Sequence, residues 1–293
     1  MSNRLNPSWV FGVLAATMSA GYGVLFTVVG DFRDQYGISE SAIGVVIGSG
    51  FLAAFVAQIF IAPSADRGRA RELIVLGVLA NVVGMLMIGY GESLNPILAG
   101  RVISGIGIGA ALPAIKRIVN LADPENLGQN LGRLFSAEVF GFAMGPAVSA
   151  ILAEPLGLAA PFVVVAAATG VVLPVTFLVS AQSGTVEFSE QRLALDLLRS
   201  RAVAGAVVLG AGVFLMIGTF DALWDLVHED LDTPTWMANL GITLFAIPLV
   251  VLGPTGGRLA QRVGPFRIAA LGLAIGAFFT FIYGQVPTGP WIF

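Results

Sequence analysis

Nine apolar runs, each close to the length of a membrane-crossing helix, limit most strongly what this chain can fold into. They fall at 8–29, 41–61, 73–90, 96–115, 131–153, 160–179, 202–223, 236–252 and 268–283. A helix crosses hydrocarbon with about 20 mainly apolar residues. Within hydrocarbon every backbone donor and acceptor must be paired inside the structure, which helices and closed barrels alone achieve. The runs do not alternate apolar with polar side chains, which argues against a barrel. A water-facing fold is ruled out by charge: 11% of residues are charged and 56% hydrophobic, whereas soluble domains carry about 25% charged residues. The expected class is therefore an all-α membrane protein. The 37 glycines suit helices packed backbone to backbone. With no cysteine, thiolate chemistry, disulfides and cysteine-based metal sites are excluded; with one histidine, His228, a histidine-built metal site is not expected, nor is a cofactor. The segment before the first run is short and polar, and no small-residue cleavage site follows that run, so it reads as a retained span.

The basic residues set the orientation, because Lys and Arg concentrate on the cytoplasmic side. With the N-terminus inside, the inner segments hold Arg4, Arg67, Arg69, Arg71, Lys116, Arg117, Arg133, Arg192, Arg199, Arg201, Arg258, Arg262 and Arg267. Arg33 and Arg101 are the exceptions. The outer segments carry Asp31, Asp34, Glu40, Glu92, Glu154, Glu229, Asp230 and Asp232. A missed or extra span would scramble this asymmetry, so it supports the span count as well. The chain is expected in the cell membrane with its N-terminus in the cytoplasm.

Two inner loops resemble one another. The first runs Ala62-Pro-Ser-Ala-Asp66-Arg67-Gly-Arg69-Ala-Arg71, and the second runs Gly257-Arg-Leu-Ala-Gln261-Arg262-Val-Gly264-Pro-Phe-Arg267. Arg67 and Arg262 are 262 − 67 = 195 residues apart. The same loop thus follows the second and the eighth span, which implies a duplicated six-span unit. The expected organisation is a six-helix lobe at 1–180, an inner linker at 181–200 and a partial, three-helix second lobe at 201–293, as in a fragment of a twelve-span protein. Leu193, Leu197 and Leu198 share one helical face of the linker, which reads either as an amphipathic helix on the membrane surface or as a solvated tether.

Six plus six spans with this inner loop resembles the major facilitator superfamily. Asp66, Arg67 and Arg71 sit on the family's first signature, with Ala62 and Arg69 at its two glycine positions. In the second copy Gly257, Leu259, Ala260, Arg262, Gly264 and Arg267 fit, and Gln261 replaces the acid. The resemblance implies a gating loop that locks the two lobes, through charge-assisted bonds that break on rocking. Since Asp66 has no acidic counterpart at Gln261, any charged lock is expected to be stronger on the first lobe. For Arg69 the positive-inside rule is explanation enough. The fourth span opens Arg101-Val-Ile-Ser-Gly105-Ile-Gly107, which resembles the family's second signature and implies a part in proton coupling for Arg101. An arginine in hydrocarbon is costly and needs a partner or a cavity; snorkelling to the outer interface is the alternative. The fifth span carries Gly132, Gly141, Gly145 and Pro146 at the spacing of a signature of drug/proton antiporters, with Ser149 and Ala150 where that signature has a glycine pair. The resemblance implies a tight contact between lobes that limits leak; ordinary small-residue packing is the alternative.

Glu138 lies within the fifth span. An intramembrane carboxylate is a functional candidate by default, and a desolvated one favours its neutral form, which suits a group that binds and releases protons. It is expected to be the coupling carboxylate, in communication with Arg101; a structural ion pair is the alternative. Asp221 and Asp225, beside Trp224, read as part of an acidic outer rim with His228. The sequence carries no phosphate loop, and Gly105-x-Gly107 lies inside a span, so neither ATP-driven pumping nor nucleotide binding is supported. The basic loops are too short for nucleic acid and can meet anionic headgroups. The expected partners are a small-molecule substrate, protons and the bilayer, with the chain acting as a monomer. The expected function, implied by the resemblance, is secondary transport by alternating access: proton-coupled efflux of a small amphiphilic compound. Symport or uniport of a metabolite stays open, as does a truncated protein that does not transport. An intramembrane enzyme is disfavoured, since no cysteine or cluster of histidines or carboxylates lies within the spans.

Overall fold

A computed structural model of the chain describes residues 6–178, 194–230 and 235–285; in the last two segments side chains are described at 197–219 and 244–285. Among the described residues the regular structure is helical, with nine α-helices in chain order: α1 (Pro7–Tyr36), α2 (Glu40–Phe60), α3 (Ala70–Gly89), α4 (Leu94–Ala122), α5 (Leu127–Leu156), α6 (Ala159–Val175), α7 (Arg201–Asp230), α8 (Thr235–Val263) and α9 (Pro265–Tyr283). Eight of them include a described stretch long and apolar enough to cross a membrane. The run at 236–252 lies in α8, and its first residues fall outside the described side chains.

Several helices outrun their apolar cores. α1 continues to Tyr36, where Arg33 pairs with Asp34 at 2.8 Å and with Glu40 of α2 at 3.4 Å. That local neutralisation explains why one arginine tolerates the acidic end. α1 is capped by Asn6, whose side chain accepts from the Ser8 N–H, and Pro7 opens the first turn, where its missing donor costs nothing. α5 runs unbroken through Pro146.

The first six helices form one lobe. α3 lies along α4 and α6, α1 along α5 and α6, and α2 along α4. Two apolar clusters hold it, one around Phe11, Leu14, Met18, Ile74, Ala111 and Leu134, the other around Val24, Leu25, Phe32, Met85, Ile97 and Phe162. Lipid tails are as apolar as these side chains, so close backbone approach and polar links must specify the packing. Gly105 and Gly109 of α4 lie against the α2 backbone at Gly50 and Ala54. Asn81 of α3, fully buried, donates to Ser104 of α4 at 3.0 Å. The second lobe contributes α7, α8 and α9, with α9 in contact with both of the others. The expected linker lies largely outside the described residues; its described end is a 3₁₀ turn, Ala194–Arg199, with Leu197 and Leu198 exposed.

Candidate functional site

The duplicated loops lie at one end of the bundle, called the basic end below. After α2 the chain makes a 3₁₀ turn, Ala62–Ala65, and enters α3 through Gly68 at φ +86. A side chain is strained at such a φ, so the turn has its glycine one place before Arg69, the residue at the signature's glycine position. Asp66 accepts from Arg117 Nε of α4 at 2.7 Å, and its carbonyl lies 3.4 Å from the second guanidinium nitrogen. Arg71 places its guanidinium 5.3 Å from the Phe177 ring, after α6. Arg67 is exposed. The contacts described for Asp66 and Arg71 are thus made within the first lobe. In the second loop Gly264 carries φ +113 at the entrance to α9, and Arg262 and Arg267 are exposed.

The contact between lobes is made by α5 against α8, and its key residues are small. Gly128 lies on Gly257, Gly132 on Gly253 and Pro254, and Ser136 on Gly253, with the Ser136 hydroxyl donating to the Leu249 carbonyl at 3.3 Å. Gly128, Gly132 and Ser136 recur every four residues, as do Leu249, Gly253 and Gly257. Each set therefore forms one stripe along its helix, and the stripes meet antiparallel. Gln261 fastens the seam at the basic end. Its oxygen accepts the Gly128 N–H at 2.8 Å and its nitrogen donates to the Glu125 carbonyl at 2.8 Å. One of the orphan donors of a helix N-terminus is satisfied in this way. Gln129, with its oxygen turned toward them, takes donors from Arg258 of α8 and Arg133 of α5. Just before α5, the amides of Asn130 and Asn126 hold the Asp123 carboxyl below the usual carboxylate range.

The α5 signature divides between two partners. Gly132 lies in the seam between lobes, whereas Gly141 packs on the Ala16 backbone and Gly145 on Gly23, both in α1. The contact expected between lobes is, for those two glycines, a contact inside the first lobe.

Arg101 does not snorkel. It is 1% exposed, its guanidinium stands 3.9 Å from the Tyr22 ring centre and 5.3 Å from that of Phe51, and one nitrogen is 3.5 Å from the Ile47 carbonyl. Its Nε has no hydrogen-bond partner among the described residues. The space comes from Gly50, where any side chain would meet the guanidinium. Aromatic faces attract the cation by their quadrupole, so rings rather than a carboxylate accompany this charge. A line of rings continues from there: Tyr22 to Phe51 at 5.7 Å, Phe51 to Phe26 at 6.4 Å, and Phe26 to Phe142 at 5.8 Å.

Glu138 is 19% exposed and faces Lys116 of α4, whose Nζ lies 3.0 Å from Oε1 and 3.4 Å from Oε2. Glu138 and Arg101 therefore have different partners, and the expected communication between them is not a contact. Lys116, counted in the sequence only as an inner-side cation, is the residue that sequence reasoning missed here. Its signal is a cation in α4 opposite the lone mid-helix acid of α5, which only the crossing of the two helices reveals. The 195-residue offset places Gln261 opposite Asp66, but as a lost acid and not as a bond across the seam. Asp221, Asp225 and His228 lie outside the described side chains.

The chain matches the family described as Major Facilitator Superfamily over residues 11–293. It is 29% identical over 155 residues to an uncharacterized MFS-type transporter of Methanocaldococcus jannaschii, covering 53% of this chain and 40% of that protein. It is 23% identical over 273 residues to multidrug resistance protein MdtG of Proteus mirabilis, covering 87% and 68%. With multidrug resistance protein 2 of Bacillus subtilis it shares 22% identity over 277 residues, covering 89% and 68%. The chain thus spans about two thirds or less of the length of these curated relatives.

Proposed function

The chain belongs to the Major Facilitator Superfamily, a family of membrane transporters and not of enzymes, and from that premise we propose that it exports a small amphiphilic compound in exchange for protons by alternating access. The observation that carries the reading is the Lys116–Glu138 pair, an acid within a membrane span whose 3.0 Å partner is itself 40% exposed. A carboxylate so placed can exchange one partner for another without unfolding a core. The names of the relatives support efflux of drug-like compounds, at low identity. The α5–α8 seam fits the closed side of a rocking mechanism, in which two lobes alternate about a site near the midplane. In this reading the basic end faces the cytoplasm, the membrane is the cell membrane, and the chain works as a monomer.

Direction-resolved flux in proteoliposomes, with and without an imposed proton gradient, tests the proposal. The expected result is gradient-driven export that Glu138→Gln abolishes. Flux indifferent to protons, or a Glu138→Gln variant with full gradient dependence, removes it.

A further inference from the structure

We propose that Lys116 is a built-in surrogate cation: its ammonium occupies Glu138 when the carrier is empty, and a cationic substrate or a proton must displace it. The inference rests on the proton-exchange reading above and adds to it the charge of the substrate and the state of the empty site.

The surroundings of Glu138 carry the argument. α5 packs against α1, α4, α6 and α8. At the level of Glu138 it meets α1 around Gly12 and Ala16, and the nearest ionisable residue of α1 is Tyr22, further along the helix. α6 has no charged residue, and α8 has none before Arg258. On α5 itself the flanking charges are Arg133 and Glu154. On α4, Arg117 is turned to Asp66. Lys116 is left as the ion-pair partner of Glu138 among the described residues.

The pair is unequal. Glu138 is 19% exposed and fixed on a helix packed on both sides, while Lys116 is 40% exposed on a flexible four-carbon stem. The mobile member is the cation. If Lys116 leaves, the carboxylate needs another cation or a proton, because an unpaired charge in such a site is costly. One carboxylate thus has three mutually exclusive partners: the Lys116 ammonium, a substrate cation and a proton taken from water. The exclusion couples substrate to proton, and the Lys116–Glu138 pair spares the carrier that holds neither of them an unpaired buried charge.

The neighbouring surface fits the substrate's body. Phe142 stands one turn beyond Glu138 on α5, about 6 Å along the axis. It begins the line to Phe26 and Phe51, rings that are 41%, 37% and 53% exposed. Aromatic faces favour a cation. A flat or bulky apolar cation can therefore lay its body on the rings and its charge against Glu138.

Binding of radiolabelled tetraphenylphosphonium, a cation with no proton to titrate, tests this on the purified chain in detergent without any gradient. Lys116→Met should tighten binding roughly tenfold, since removing the competitor frees one charge-assisted contact. Lys116→Arg should bind as the native chain does, and Glu138→Gln should lose most binding. In substrate-free proteoliposomes Lys116→Met should collapse an imposed pH gradient more slowly than the native chain, because the deprotonated carrier then has no cation for Glu138 on its return, and Lys116→Arg should leak as the native chain does. A structural role for Lys116 would weaken binding in Lys116→Met and leave the leak unmoved; that outcome, or unchanged affinity, overturns the inference. Should Lys116→Met not fold, Lys116→Gln takes the same measurements. The two readings fail separately. Unchanged affinity and leak in Lys116→Met, with gradient-driven flux still lost in Glu138→Gln, sinks the surrogate alone, whereas gradient-blind flux in the native chain sinks the exchange reading.

Discussion

Arg101 shows how a single residue can be both expensive and well housed. Its charge is buried without a carboxylate, held over Tyr22 and Phe51 in the space left by Gly50. Replacing a buried charge by an apolar side chain of similar volume is often neutral or stabilising. Arg101→Met is therefore expected to leave thermal unfolding in detergent unchanged or raised. Arg101→Lys keeps the charge but loses the planar stack and should cost about 1 kcal/mol. A Met variant that unfolds far below the native chain would show instead that the charge holds the lobe together. The motif Arg101-x-x-x-Gly105-x-Gly107 marked this residue in the sequence. That its partners are rings was not legible, because Tyr22 and Phe51 come from two other helices and stand in no spacing relation to it.

At the scale of the element, α5 is one helix with two jobs. Its Gly141 and Gly145 side lies on α1 and its Gly128, Gly132 and Ser136 side on α8. A leucine at Gly132 would meet the backbone of Gly253 and Pro254, and one at Gly141 the backbone of Ala16. Their consequences should differ. Since the chain has no cysteine, a Glu125→Cys and Gln261→Cys pair can report the seam through a short bifunctional thiol reagent. Gly132→Leu should cut that cross-linking severalfold while the first lobe stays folded. Gly141→Leu overpacks the lobe itself and should lower its stability by about 1–3 kcal/mol, read from thermal unfolding. Equal cross-linking in Gly132→Leu and the native background would show that the lobes meet elsewhere. Of these stripes the sequence marked Gly132 and Gly257, through their motifs. Which stripe faces which helix was not legible, since spacing defines a face but never its partner.

For the whole molecule, the two basic loops imply a sidedness that labelling can check. Arg67→Cys and Arg262→Cys should react with a membrane-impermeant thiol reagent only after cells are permeabilised, and Asp34→Cys in intact cells. Reaction of Arg67→Cys from outside would invert the topology. The loops also differ in what they do. Asp66 forms its 2.7 Å pair inside its own lobe, while the neutral Gln261 reaches across to Glu125 and Gly128. A charged lock was the expectation for the first copy. In the structure it is Gln261 of the second copy that bonds across the lobes, through an amide that both donates and accepts, as an ionised carboxylate could not.

The sequence by itself determined the membrane class, the nine helices and the duplicated loop, because each follows from local composition, run length and a repeat offset. It also marked Glu138 and Arg101, since a charge in an apolar run is conspicuous without any coordinates. Only the tertiary structure decided their partners: Lys116 for Glu138, the rings of Tyr22 and Phe51 for Arg101, and α8 for the small-residue stripe of α5. Those pairings depend on where helices cross, and crossings are set by side-chain packing between segments far apart in the chain. No periodicity within one segment encodes them.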